Sequence, residues 1–180
     1  TSAKISDAID VMIENKVGGL PVVDEEGRVW AIITERDIIT IFGGMIIGAK
    51  VSNLMSKKVV TTTPETSILE VEESMIRRGF RRLPIVSEGK LVDIITVMDI
   101  LRFFGSGKVF QHLQSGTIDQ VLQTSITEIA VKEVVTVDRN VDVGEAAQLM
   151  WNRGIGALPV VENETLVGII TERDFFKLIS

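Results

Sequence analysis

The feature that most narrows what this chain can become is a block written three times. Leu158-Pro159-Val160-Val161 is followed after a short turn by Leu166-Val167-Gly168-Ile169-Ile170-Thr171-Glu172-Arg173-Asp174. The same plan stands upstream as Leu20-Pro21-Val22-Val23 with Trp30-Ala31-Ile32-Ile33-Thr34-Glu35-Arg36-Asp37, and as Leu83-Pro84-Ile85-Val86 with Leu91-Val92-Asp93-Ile94-Ile95-Thr96-Val97-Met98-Asp99. Repetition on this scale means one supersecondary unit used several times, each copy too small to bury its own apolar face. Within a block, two β-branched runs flank an acidic, glycine-containing turn (Asp24 to Gly27, Ser87 to Lys90), which predicts a hairpin. The second run ends in Thr-x-x-Asp, a pattern that caps the free amides of a following helix.

A helix is predicted ahead of each hairpin. In the first repeat Ile5, Ala8, Ile9, Met12 and Ile13 form one apolar stripe, closed by Val17-Gly18-Gly19. In the second, Ser67-x-x-Glu70 caps a helix carrying Ile68, Val71, Met75 and Ile76 that stops at Gly79. In the third, the helix is predicted from Val141 to Asn152, and a last helix from Glu172 to Ile179. Short strands are predicted at Val59 to Thr63 and Glu133 to Val137, leading into the second and third repeats; the first has no counterpart, whose place would be upstream of Thr1. The resulting order is an α/β fold of α+β repeats: an incomplete repeat over 1–47, a complete one over 48–105, a helical connector over 106–125 broken near Gly116, and a complete repeat over 126–180. The two complete repeats are expected to pair about a pseudo-twofold axis. The first is then left to seek a missing upstream repeat or another copy of the protein, as a homodimer.

Composition excludes several function classes. A formal net charge of -6 and a pI near 4.9 argue against nucleic acid or an anionic membrane as partner. With no cysteine there is no disulfide framework, thiolate metal site or thiol nucleophile, which fits a cytoplasmic protein. No apolar run reaches the length of a membrane span, and no signal-like segment precedes the first repeat, although the chain starts at Thr1 rather than Met. Gly43 to Lys50 lacks the Gly-Lys-Ser/Thr of a phosphate loop, and His112 is the sole histidine with no clustered ligands. No nucleophile, base and orienting residue converge, so an enzyme and a resident cofactor are not expected.

The threefold order of helix, hairpin and helix with Thr-x-x-Asp resembles CBS domains, and the run of repeats with Phe80-Arg81-Arg82-Leu83-Pro84 is similar to stand-alone archaeal four-repeat CBS proteins and the gamma subunit of AMP-activated protein kinase. That resemblance implies paired repeats, the Bateman module, with clefts for adenine nucleotides (AMP, ADP or ATP) or S-adenosylmethionine, and a non-catalytic regulatory role. By the same resemblance Asp37, Asp99 and Asp174 would accept hydrogen bonds from ribose hydroxyls, with Thr34, Thr96 and Thr171 near the sugar or phosphate. Thr61 and Thr136 would meet the adenine edge, and Phe80, Arg81 and Arg82, or Ile155, Gly156 and Ala157, would line the base or reach the phosphate. Arg36 and Arg173 precede the aspartate in the first and third repeats, where the second has Met98; the cleft of Thr136, Thr171, Arg173 and Asp174 is therefore favoured. The plainer alternatives stand beside this. Thr-x-x-Asp is also an ordinary helix cap, Arg77, Arg78, Arg81 and Arg82 suit a helix C-terminus, and Trp30 and Trp151 read as packing residues. A scaffold that only mediates oligomerisation is the alternative function.

Overall fold

The structure, a computed structural model, describes residues 3–130 and 133–179, with the side chains of Lys108 and Leu113 outside the description. The chain forms α1 (Ile5–Asn15), β1 (Gly19–Val23), β2 (Val29–Thr34), α2 (Glu35–Ile39) and α3 (Val51–Leu54). It continues with α4 (Ile68–Arg78), β3 (Arg82–Ser87), β4 (Lys90–Thr96), α5 (Val97–Phe104), α6 (Gly107–Ser115) and α7 (Ile118–Leu122). The last repeat holds β5 (Val137–Asp138), α8 (Val143–Arg153), β6 (Ala157–Glu162), β7 (Thr165–Thr171) and a 3-10 segment, Glu172–Leu178, in place of the predicted α-helix. Residues sort into two compact units: Thr1–Lys57 with Val137–Val160 and Gly168–Ser180, and Lys58–Thr136 with Val161–Val167.

The second unit holds most of the second repeat and the connector, with the entry of the third repeat. α4, capped by Ser67 and ended by Gly79 in a left-handed conformation, lays Ile68, Val71 and Met75 on Leu83, Ile85 and Ile95 of the β3–β4 hairpin, and Ile100 and Ile126 complete this core. The leading strand predicted over Val59 to Thr63 reduces to one parallel bridge, Thr62 to Ile85, because Pro64 turns the chain away before a second can form. The hairpin tip of the third repeat joins this unit, with Thr165 paired antiparallel to Lys90.

The first unit corrects the expectation that the first repeat lacks a partner within the chain. Ile9 and Met12 of α1 and Ile38 of α2 share a core with Phe176 of the third repeat, and Phe42 stacks at a tilt on Phe175 with ring centroids 6.0 Å apart. The α1 stripe is narrower than predicted: Ile5 and Ile13 are exposed, and only Ile9 and Met12 are fully covered. Lys16, not glycine, takes the left-handed position that closes α1. Trp30 and Trp151, read from sequence as packing residues, are both exposed, whereas Met12, Met75 and Met150 are core as their helical positions require. β5 is two residues long and shares only Val137 with the strand predicted over Glu133 to Val137.

One close approach fixes how the first repeat meets α8. A Cβ built on Gly144 would lie 1.9 Å from the Met45 carbonyl oxygen and 3.1 Å from that of Phe42, so the loop after α2 rests directly on the first turn of α8. Asp142 caps that turn through Gly144 N–H (2.8 Å) and also accepts from the N–H groups of Ile47 and Gly48. Gly144→Ala forces backbone apart from backbone, and overpacking of this kind costs about 1–3 kcal/mol. Thermal unfolding of the variant is expected to show a lower Tm than the parent, and an unchanged Tm would refute the contact.

Candidate functional site

The three Thr-x-x-Asp segments fold alike. Asp37 Oδ2 accepts from Thr34 N–H (2.8 Å) and Oγ1–H (2.6 Å), Asp99 Oδ2 from Thr96 N–H (2.9 Å) and Oγ1–H (2.5 Å), and Asp174 Oδ2 from Thr171 N–H and Oγ1–H (both 2.8 Å). The plain capping role therefore holds in every repeat, and only the second carboxylate oxygen is left for other work. Its fate differs. Asp99 Oδ1 accepts from Arg102 (3.3 Å) and Asp174 Oδ1 from Lys177 (2.7 Å), each cation lying one helical step further on, and both carboxylates are buried. In the first repeat that position is Thr40, whose hydroxyl donates to the Asp37 backbone carbonyl instead (2.6 Å). Asp37 is exposed, and among the described residues its Oδ1 has no partner.

Beside it opens a cavity of about 360 Å³ lined by Asp37, Thr40 and Gly43 of the first repeat and Gln148 and Trp151 of α8. Gln148 donates through Nε2 to Asn152 (2.8 Å), which leaves its amide oxygen close to Gly43. Trp151, half exposed, offers an indole face. The lining thus combines a carboxylate, a hydroxyl, an amide and an aromatic plane, groups suited to a hydroxylated ligand with a flat ring.

The other predicted residues fall as follows. In all three repeats the N–H that opens the signature helix donates to the residue two before the Leu-Pro pair: Glu35 to Gly18 (3.0 Å), Val97 to Arg81 (3.0 Å) and Glu172 to Gly156 (3.2 Å). Phe80, Arg81 and Arg82 are thereby brought to Thr96, which faces Arg82 across the β3–β4 ladder, and Ile155, Gly156 and Ala157 to Thr171. Thr61 is exposed, its neighbour Thr62 taking the bridge to Ile85; Thr136 is half-buried just ahead of β5. Arg36 and Arg173, which precede the signature aspartates, are each held by a glutamate of the other repeat: Arg36 Nε–H donates to Glu172 (2.9 Å), and Arg173 reaches Glu35 through Nε (2.8 Å) and a terminal nitrogen (2.7 Å). Glu35, Glu172, Gln148, Trp151 and the cations Arg102 and Lys177 were not singled out as site residues from sequence. The recurring Glu-Arg-Asp, absent from the second repeat, and the identity of the residue three after each aspartate were the available signals.

Among the described residues no group of three His, Cys, Asp or Glu side chains could hold a metal, and no helix is long and apolar enough to cross a membrane.

Comparison with known proteins gives a consistent picture. The CBS domain family matches residues 1–44, 51–106 and 126–180. An uncharacterised protein of Methanocaldococcus jannaschii, MJ1225, is 38% identical over 178 residues, covering 98% of this chain and 64% of that protein. Its crystal structure, described as a candidate archaeal homologue of g-AMPK, superposes with a TM-score of 0.90 at 35% identity, covering 99% of this chain and 65% of that one. An uncharacterised 33.4 kDa protein of Thermofilum pendens is 37% identical over 174 residues, 97% of this chain and 58% of its own length. The chain thus spans less than two thirds of these relatives. The CBS domain pair of MJ0100, solved with 5'-methylthioadenosine and S-adenosyl-L-methionine, is 31% identical with a TM-score of 0.58, covering 73% of this chain and 95% of that one.

Asp93, which faces Ile85 across the second hairpin, carries a carboxyl pushed above its ordinary 3.8: burial raises it, the Ile94 N–H opposes, and the Asp99 charge adds to the rise. The folded state therefore binds this proton more tightly than the unfolded state. Its contribution to stability falls as pH rises from 3.8 through the raised value, and the cost is complete above that. Asp93→Asn is expected to melt higher than the parent at neutral pH, the advantage shrinking as pH drops toward 3.8; an advantage independent of pH would contradict the assignment.

Proposed function

The chain belongs to the CBS-domain family, and from that premise we propose that it is a non-catalytic regulatory module that binds the nucleoside part of an adenine nucleotide (AMP, ADP or ATP) at the cavity beside Asp37. The observation that carries this is the open Oδ1 of Asp37 on a cavity of about 360 Å³. A carboxylate meeting a ribose diol makes charge-assisted hydrogen bonds of about 1.5–3 kcal/mol each. Thr40 and Gln148 supply further hydrogen-bonding groups, and Trp151 a surface for the purine. MJ0100 was crystallised with two adenosyl compounds, which supports the ligand class and makes S-adenosylmethionine the alternative within it. Asp99 and Asp174 carry the same signature with a cation already on the second oxygen, so the first repeat is assigned ahead of the third.

Isothermal titration of the folded protein with AMP, ADP, ATP and S-adenosylmethionine tests this. One of them is expected to bind, and Asp37→Ala is expected to weaken it by about tenfold or more. Thr40→Lys, which supplies the cation that closes the other two signatures, should do the same, while Lys177→Ala should leave that affinity unchanged. Absence of heat with all four compounds would sink the proposal.

The scaffold alternative is favoured by a separate observation. β1 and β2 form a two-stranded sheet on which Val29, Trp30 and Ile32 are 73%, 74% and 68% exposed. In the second unit the corresponding hairpin is met by a second CBS hairpin through Lys90 and Thr165. We propose that a further CBS repeat, from a second copy or from additional chain, covers this face. Light scattering is expected to give a dimer for the 180-residue chain and a monomer for Trp30→Glu; equal masses for both would remove the case for self-association here.

A further inference from the structure

The two Glu-Arg pairs of the first unit form a reciprocal cross. Arg36 of the first repeat binds Glu172 of the third, and Arg173 of the third binds Glu35 of the first. The glutamate side chains are 14% and 8% exposed, while the arginines lie at 42% and 40%. Isolated surface pairs contribute little, but stranding one buried carboxylate without its cation costs much more. Arg173 also donates to the Val17 carbonyl (2.9 Å), tying the cross to the end of α1.

The cross needs a matched set of residues. A Cβ on Gly156 would stand 2.8 Å from Glu172 Oε2, and one on Gly18 would stand 3.4 Å from Glu35 Oε2, so each glutamate lies over a glycine of its own repeat. The second repeat has Arg81 in place of the glycine, Val97 in place of the glutamate and an exposed Met98 in place of the arginine. It can neither give nor receive such a pair.

Glu35 and Arg36 immediately precede Asp37, and the cavity beside Asp37 takes Gln148 and Trp151 from the repeat that supplies Glu172 and Arg173. We propose that Glu35, Arg36, Glu172 and Arg173 are positioning residues: the cross selects the first and third repeats as partners and holds the two walls of the Asp37 cavity together, a role that rests on the cavity being the ligand site. None of the four lines the cavity. Their arginines are engaged by protein carboxylates, and the cavity lining holds no cation.

The test needs no ligand, so its outcome is separate from that of the titrations. The chain has two tryptophans, and Trp30→Phe leaves Trp151 as the single reporter of the cavity wall. In that background Arg36→Glu and Glu172→Arg are each expected to raise acrylamide quenching of Trp151 and to speed amide exchange at Ile38 and Ile39 by about tenfold. The charge-swapped double variant Arg36→Glu/Glu172→Arg is expected to return both to within about threefold of the parent, as coupled residues do. Should a reversal fail to fold, Glu172→Gln and Glu35→Gln put the same question more gently, each expected to give a smaller shift in the same direction. Unchanged quenching and exchange in the single variants, or a folded double variant that recovers neither, would overturn the assignment. If the cross behaves as expected and no adenosyl compound binds, the ligand proposal fails while the pairing role stands.

Discussion

Everything specific to this chain follows from how one carboxylate divides its two oxygens. In each repeat the aspartate of Thr-x-x-Asp gives Oδ2 to the threonine amide and hydroxyl, which satisfies a helix start that would otherwise present unpaired donors. The contact is local and indifferent to the remaining fold, which is why it survives three times while the surroundings diverge. What the aspartate can do beyond capping is then decided by a single neighbour. Arginine or lysine three residues on neutralises the second oxygen and buries the group; threonine there turns its hydroxyl to the backbone and leaves the oxygen exposed. The availability of the second oxygen thus turns on the side chain three residues after the aspartate.

The same economy governs which repeats associate. Glycine two residues before Leu-Pro and Glu-Arg ahead of the aspartate occur together in the first and third repeats and are absent together from the second. The glycine gives the glutamate room to lie flat, the glutamate needs a cation once it is covered, and the arginine of the facing repeat supplies it. Hydrophobic contacts such as Ile9, Met12 and Ile38 on Phe176 join the two repeats as well, but contacts of this kind are tolerant of partner. A reciprocal charge pair is not, since any mismatched repeat would leave a carboxylate desolvated and alone.

Local patterns were legible in the sequence and long-range choices were not. The hairpins, the caps at Thr34, Ser67, Thr96 and Thr171, and the core methionines Met12, Met75 and Met150 follow from periodicities and capping chemistry that act within a few residues. The CBS family followed from the recurrence of those patterns, and the family comparison bears it out. The width of the α1 stripe was misjudged because apolar periodicity marks which residues could be buried, while burial of Ile5 and Ile13 needs a neighbour that the described residues do not provide. Gly18 and Gly19 looked like a helix stop because glycine commonly serves that purpose. Lys16 performs it here, and Gly18 answers instead to a carboxylate seventeen positions along the chain. The partner of the first repeat was missed for a related reason: completeness was used to pair repeats, and the Glu-Arg residues that bind reciprocally between the first and third repeats were not read.

That cavity residues come from two repeats bears on how a ligand could regulate anything. A ligand shifts an equilibrium only through a difference in affinity between the arrangements, and one held wholly by the first repeat would bind equally well whether or not the third were seated against it. Asp37 and Thr40 together could not supply that difference. Gln148 and Trp151 could, because their contacts exist only while α8 lies against the loop after α2, a juxtaposition set by Met45 over Gly144 and by Asp142 on Ile47 and Gly48. Under the proposed binding, the free energy from those two side chains would be the part that can be transmitted, and by reciprocity whatever tightens the packing of the first repeat on the third would raise affinity for the ligand by the same factor.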